Sequence, residues 1–120
     1  MKQTFSCPVE LALSVLGGKW RVVILAHVKE RPLRYAELRR RIPGMSEKML
    51  SQRLRELVSA GLVQHQGASY RLTARGNRAR TALGALHDWG RTLEAELGVR
   101  VVAPVPSVPS VAPQRSRSRI

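Results

Sequence analysis

The side chains best suited to recognise a ligand lie together in one segment, residues 46–60, SEKMLSQRLRELVSA. At about 100° per residue, its leucines share one side of a helix, which we expect to face a core. The other side carries long polar donors with a hydroxyl on its flank: Lys48, Gln52, Arg55 and Ser51. Arg and Gln can pair with guanine and adenine edges, and Lys or Ser with bases or phosphates. This pattern favours nucleic acid, and a plainly solvated helix face is the alternative.

Further candidates precede and follow these residues. Arg39 and Arg40 belong to a basic run before Pro43-Gly44, and they either contact phosphates or form a solvated charged face. Ser46 is a predicted N-cap that also lies where it can contact the same ligand. His65 and Arg71, on either side of a short glycine-containing turn, are weaker candidates for contacts with the same partner.

The composition agrees with an acidic partner. Lys and Arg number 21 against 8 Asp and Glu, and the net charge of +13 implies nucleic acid or an anionic membrane surface. Because proline becomes frequent near the end, we predict a folded domain over residues 1–97 and a disordered Pro/Arg-rich tail over 98–120. Only four arginines lie in the tail, so the folded part is itself basic.

Catalytic and metal chemistry are not indicated. Cys7 is the only cysteine, and the three histidines are too far apart for zinc-ligand spacing, so we expect no metal and no cofactor. We recognise no Ser-His-Asp set, phosphate-binding glycine loop or carboxylate pair, so we predict that the protein is not an enzyme. We also recognise no signal peptide or membrane span, which favours a cytoplasmic protein with no membrane partner.

The apolar spacing predicts the elements that position these residues. Helices are expected within residues 8–16, 19–30, 33–42 and 46–60, and strands over 62–66 and 70–73, joined by Gly67-Ala68-Ser69. A long helix over 74–97 follows, with an apolar stripe of Leu83, Leu86, Trp89, Leu93 and Leu97. Two helices joined by a short glycine turn and followed by a hairpin form a winged helix-turn-helix, which is a mainly α (α+β) fold.

Four segments resemble the HxlR-type family of bacterial winged helix-turn-helix regulators, which is related to the MarR group. They are CPVELALSVLGGKWRVVIL, RPLRYAELRRRIPGMSEKMLSQRLRELVSAGLV, YRLTARG and LHDWG. The resemblance implies a homodimeric transcriptional regulator that places recognition helix 46–60 of each subunit in the major groove at a half-site of a pseudo-palindromic operator. Family members usually carry a longer wing than the connection QGAS found here.

The resemblance also implies roles outside the recognition helix. The first and last helices are expected to build the dimer interface, with the stripe from Leu83 to Leu97, although packing within one subunit is the alternative for some of these residues. Some family members sense oxidants or electrophiles through a thiol at the position of Cys7. Lys2, Lys19 or the start of the first helix would favour its thiolate, and a small buried interface residue is the alternative.

The competing hypothesis is a basic protein that binds nucleic acid without sequence preference, either nucleoid-like or RNA-binding. Single-stranded RNA is commonly held by aromatic stacking, but aromatic residues form only 4% of the chain. The two tryptophans also fall on predicted apolar faces. The sequence therefore favours double-stranded DNA.

Overall fold

The structure is a computed structural model that describes residues 4–102. Six helices and three short strands lie within this part of the chain. In order they are α1 (Pro8–Leu16), α2 (Lys19–Val28), β1 (Leu33–Arg34), α3 (Tyr35–Arg41), α4 (Glu47–Ser59), β2 (Val63–Gln66), β3 (Ser69–Leu72), α5 (Ala74–Arg78) and α6 (Arg80–Leu97). The predicted winged helix-turn-helix is confirmed.

The helix-turn-helix unit consists of α3, the turn at residues 42–46, and α4. Ser46 has extended backbone geometry and its hydroxyl accepts a hydrogen bond from the Met49 amide at 3.1 Å, so it is the N-cap of α4 as predicted. Gly61, with a φ of 77°, follows the end of α4 in the left-handed region that favours glycine. These two residues fix the length of the helix between them.

The sheet has three strands, whereas the sequence predicted only a two-stranded hairpin. β1 falls inside the segment expected to begin the third helix, and it pairs antiparallel with β3 through Leu33 opposite Tyr70. The strand order is β1-β3-β2. Ser69 was expected in the turn but begins β3, so Gly67-Ala68 alone connects the two strands of the wing. The extra strand attaches the wing to the start of α3.

The predicted helix over residues 74–97 is divided into α5 and α6 at Ala79. Thr73 caps α5, because its hydroxyl accepts a hydrogen bond from the Gly76 amide at 3.0 Å. A Cβ at Gly76 would collide with the carbonyl oxygen of Leu62, so only glycine allows α5 to approach the wing this closely. This close packing of α5 accompanies the break between the two helices at Ala79.

The core is formed mainly by α2, α3, α4 and the sheet. Its central side chains are fully or almost fully buried: Ile24, Leu25, Leu33, Leu38, Met45, Leu50, Leu54, Leu57 and Val63. α6 contributes only Leu83 to the buried core, and α1 contributes no buried residue. The two outer helices therefore flank a compact winged region instead of completing its interior.

α6 ends at Leu97, and the part of the predicted tail beyond residue 102 lies outside the described residues. Within residues 4–102, no single helix is long and apolar enough to cross a membrane. Taken together, α1 and α2 have enough apolar length, but they are bent by 78° relative to each other.

Candidate nucleic-acid interface

The outward side of α4 has the composition expected from the sequence. Leu50, Leu54 and Leu57 are buried and attach the helix to the core. Lys48, Gln52 and Arg55 are exposed on the other side. Lys48 and Arg55 form no hydrogen bond or ion pair with any residue in the described part of the chain, so their donors are available to a ligand.

Ser51 lies at the border between α4 and α3 and is only partly exposed. Its hydroxyl is 3.3 Å from the phenolic oxygen of Tyr35, which also donates to the backbone carbonyl of Glu47 at 3.2 Å. Tyr35 thus links the first residue of α3 to the first turn of α4. The phenolic hydroxyl of Tyr35 is the sequence signal that could have predicted this link.

Gln52 is held loosely on the outward side of α4. Its amide nitrogen lies 3.4 Å from a carboxylate oxygen of Glu56, which is a long hydrogen bond. Glu56 is bound more closely by Arg53, which donates to both carboxylate oxygens at 2.7 Å. Gln52 can therefore exchange its weak intramolecular contact for a base edge at small cost.

α3 begins at a side-chain cap that was not predicted from the sequence. Glu37 accepts hydrogen bonds from the Arg34 amide at 2.9 Å and from the Arg31 guanidinium at 3.1 Å. The bond from the Arg34 amide, followed by that from Arg31, lowers the pKa of the Glu37 carboxyl. The cap keeps a carboxylate at the N-terminus of α3, where it complements the helix dipole.

The arginines at the end of α3 have different surroundings. Arg39 donates to the carbonyl of Met45 at 3.0 Å and so stabilises the turn before α4. Arg40 is exposed and forms no such contact among the described residues. Arg41 pairs with Glu30 at 3.6 Å and is nearly buried. Of the three, Arg40 is the one best placed to reach a phosphate.

The two candidates in the wing are both exposed and both lie on paired strands. His65 is directly opposite Tyr70, and their rings stack with centroids 4.1 Å apart. Arg71 donates to the side-chain oxygen of Gln66 at 3.1 Å. Arg71 borders a cleft with Lys29 from the end of α2, whereas Arg55 borders a different cleft. The structure therefore does not bring the wing candidates and Arg55 into one pocket.

The cysteine and the predicted interface stripe lie on the flanking helices. Cys7 is the exposed N-cap residue of α1. Two lysines were expected to favour its thiolate. Of these, Lys19 has its Nζ 4.5 Å from the Trp20 ring centroid. Lys2 is outside the described residues. In the stripe, Leu83 is buried within the subunit, Leu93 is half-buried, and the rest are exposed: Leu86, Trp89 and Leu97.

Comparison with known families decides the type of protein. The model of the HxlR-like helix-turn-helix matches residues 15–96 of this chain. The chain belongs to this family. The match contains the whole helix-turn-helix and the wing, and it extends through most of α6.

Similar proteins support this assignment. An HTH-type transcriptional regulator from Methanothermobacter thermautotrophicus is 37% identical over 94 residues, which cover 72% of each chain. The structure of the redox regulator HypR in its reduced form has a TM-score of 0.69 at 32% identity, covering 77% of this chain and 98% of HypR. Quinone-bound YodB from B. subtilis has a TM-score of 0.64 at 33% identity, covering 72% of this chain and 99% of YodB. The protein is thus an HxlR-type transcriptional regulator, and its relatives are regulators rather than enzymes.

Proposed function

We propose that this HxlR-type regulator is a homodimer that binds a pseudo-palindromic double-stranded DNA operator through α4. The observation that carries the proposal is the outward side of α4, where Lys48, Gln52 and Arg55 are exposed after a capped helix-turn-helix. Arg and Gln supply bidentate donors for base edges in the major groove. Ser46 and Ser51 supplement them at the first turns of the helix.

Arg39, Arg40, His65 and Arg71 are proposed as contacts outside the bases. Arg40 reaches a phosphate directly, and Arg39 supports the turn before α4 through its bond to Met45. His65 and Arg71 extend the interface along the wing, where the two-residue turn keeps the hairpin short. Contacts of this kind position the protein on the duplex and carry little sequence information.

The proposed dimer uses the flanking helices. Trp89 is 62% exposed and Leu86 is 45% exposed on α6, and Val9 and Leu13 of α1 are also largely exposed. A second subunit that covers these side chains would remove a large apolar area from water. The two recognition helices would then lie at half-sites related by the two-fold axis of the dimer.

Sequence-specific binding is tested by selecting duplexes from a random library and measuring affinity for the selected site. Gln52→Ala and Arg55→Ala should each relax the preference at defined base pairs by about 1–3 kcal/mol. Arg40→Ala should weaken binding to all DNA sequences alike. It should also reduce the slope of log affinity against log salt concentration by about one. Arg91→Ala, on the exposed surface of α6, is the control for losing an arginine elsewhere.

The nonspecific alternative gives a different result in the same assay. A nucleoid-like or RNA-binding protein would lose its bound duplex to excess random DNA or RNA at fixed salt, and no substitution in α4 would change a sequence preference. That outcome would exclude base recognition by α4.

We further propose that Cys7 makes DNA binding responsive to oxidants or electrophiles. Its exposure at the start of α1 supports the proposal, because a reactive thiol must be accessible. HypR is named as a redox regulator and YodB has been solved with a bound quinone. Oxidant should release the parent protein from its operator, and Cys7→Ser should remain bound. Equal release of both proteins, or of neither, would contradict a sensing role of Cys7.

A further inference from the structure

An open cleft of about 690 Å³ lies between the end of α1, the start of α2, the C-terminal half of α4 and the start of α5. This volume is within the range of small-molecule sites in proteins. The polar side chains that line it are Ser14, Arg21, Arg55, Glu56, Ser59 and Arg75. Among the residues that the structure describes, three guanidinium groups thus share the cleft with one carboxylate.

That carboxylate does not neutralise the three arginines. Glu56 is bound at 2.7 Å by Arg53, which is not part of the cleft lining, whereas the Nη1 of Arg21 lies 4.0 Å away. Arg75 donates to a backbone carbonyl at the end of α4 at 2.8 Å. Arg55 has no hydrogen bond or ion pair with the described residues. The cleft consequently retains an excess of positive charge.

Arg21 is the most enclosed of the three, with 16% of its side chain exposed. Its Nη2 donates to the Val15 carbonyl at 2.9 Å, and its Nε is buried without a hydrogen-bond partner in the part of the chain that the structure describes. Its guanidinium also lies against Gly17, where a Cβ would collide with it. A poorly compensated charge in a partly dehydrated position attracts an anion more strongly than one in water.

We propose that this cleft binds a small organic anion bearing a carboxylate or a phosphate group. Guanidinium groups offer paired donors that match the oxygens of either group, and the hydroxyls of Ser14 and Ser59 add further donors. The apolar part of the ligand lies against Val15 and Ala60. Such a ligand contacts α1 and α4 together. Its binding does not depend on the proposed DNA recognition, so the two proposals can fail separately.

Thermal unfolding of the full chain tests the proposal without DNA. Phenyl phosphate and benzoate serve as anionic probes and benzamide as the neutral one, all at equal ionic strength adjusted with sodium chloride. A probe at about ten times its dissociation constant should raise the Tm by roughly 5 °C. No increase with either anion, or an equal increase with benzamide, would overturn the proposal.

Two variants and two control variants locate the site. Arg75→Gln should abolish most of the increase, whereas Arg78→Gln, on the same helix but outside the cleft lining, should retain it. Ser59→Glu places a second carboxylate in the cleft and should also abolish the increase, even if Arg75→Gln alters folding. Lys48→Gln should retain the increase, because it changes the outward side of α4 without touching the cleft. An unchanged increase in both Arg75→Gln and Ser59→Glu would overturn the assignment.

Discussion

The compact winged region, α2 through β3, and the two flanking helices use similar apolar stripes for different purposes. α4 buries all three leucines of its stripe against α2, α3 and the sheet. In the stripe of α6, only Leu83 is buried, and α1 buries no residue. An apolar stripe therefore does not determine its partner, since the same pattern is covered within the subunit in one case and left uncovered in the other.

The largest expected effect is a difference between the two regions in the free energy of unfolding that is lost when a leucine is truncated. Leu54→Ala should lower the free energy of unfolding by about 2–5 kcal/mol, because the substitution leaves a cavity at a fully packed position. Leu86→Ala is the matched change on α6, where 45% of the side chain is exposed, and it should cost much less in the monomer. Urea denaturation of both variants at low protein concentration provides the measurement. Equal losses would mean that α6 is part of the same core.

The flanking helices should instead control association. Trp89→Ala removes the largest exposed apolar side chain of α6, and it should raise the dimer dissociation constant by at least about tenfold. Sedimentation equilibrium measures this constant directly. Val58→Ala truncates an exposed apolar residue of α4 and should leave association unchanged. A parent protein that is monomeric at micromolar concentration would contradict the proposed role of α6.

The sequence predicts most of the fold because helix signals are local. Ser46 and Gly61 mark the ends of α4, and its leucine spacing identifies the buried side. β1 was missed because its two residues become a strand only by pairing with β3, which lies more than thirty residues later. The break at Ala79 was missed for a related reason, since the close approach of Gly76 to Leu62 is a tertiary contact.

The candidate site was predictable in its residue types but not in its internal contacts. Helical spacing alone places Lys48, Gln52 and Arg55 on one side of α4. It does not show that Arg39 is engaged with the turn at Met45, or that Arg55 borders a cleft. These distinctions depend on which element packs next to each side chain, and the sequence contains no local signal for that.

The smallest expected effect is a difference between the two regions in how the stability of the protein depends on pH. Burial of His27 on α2, reinforced by the nearby Arg41 charge and opposed by Glu30, lowers its pKa below 6.5. Between the lowered pKa and 6.5, the unfolded chain binds a proton that the folded chain does not, so stability falls as the pH falls through this window. Urea denaturation across that range should show a weaker pH dependence for His27→Gln than for the parent. His87→Gln removes an exposed imidazole from α6 and is the matched control. If His27→Gln has the same pH dependence as the parent, His27 is not the cause of the lower stability at lower pH.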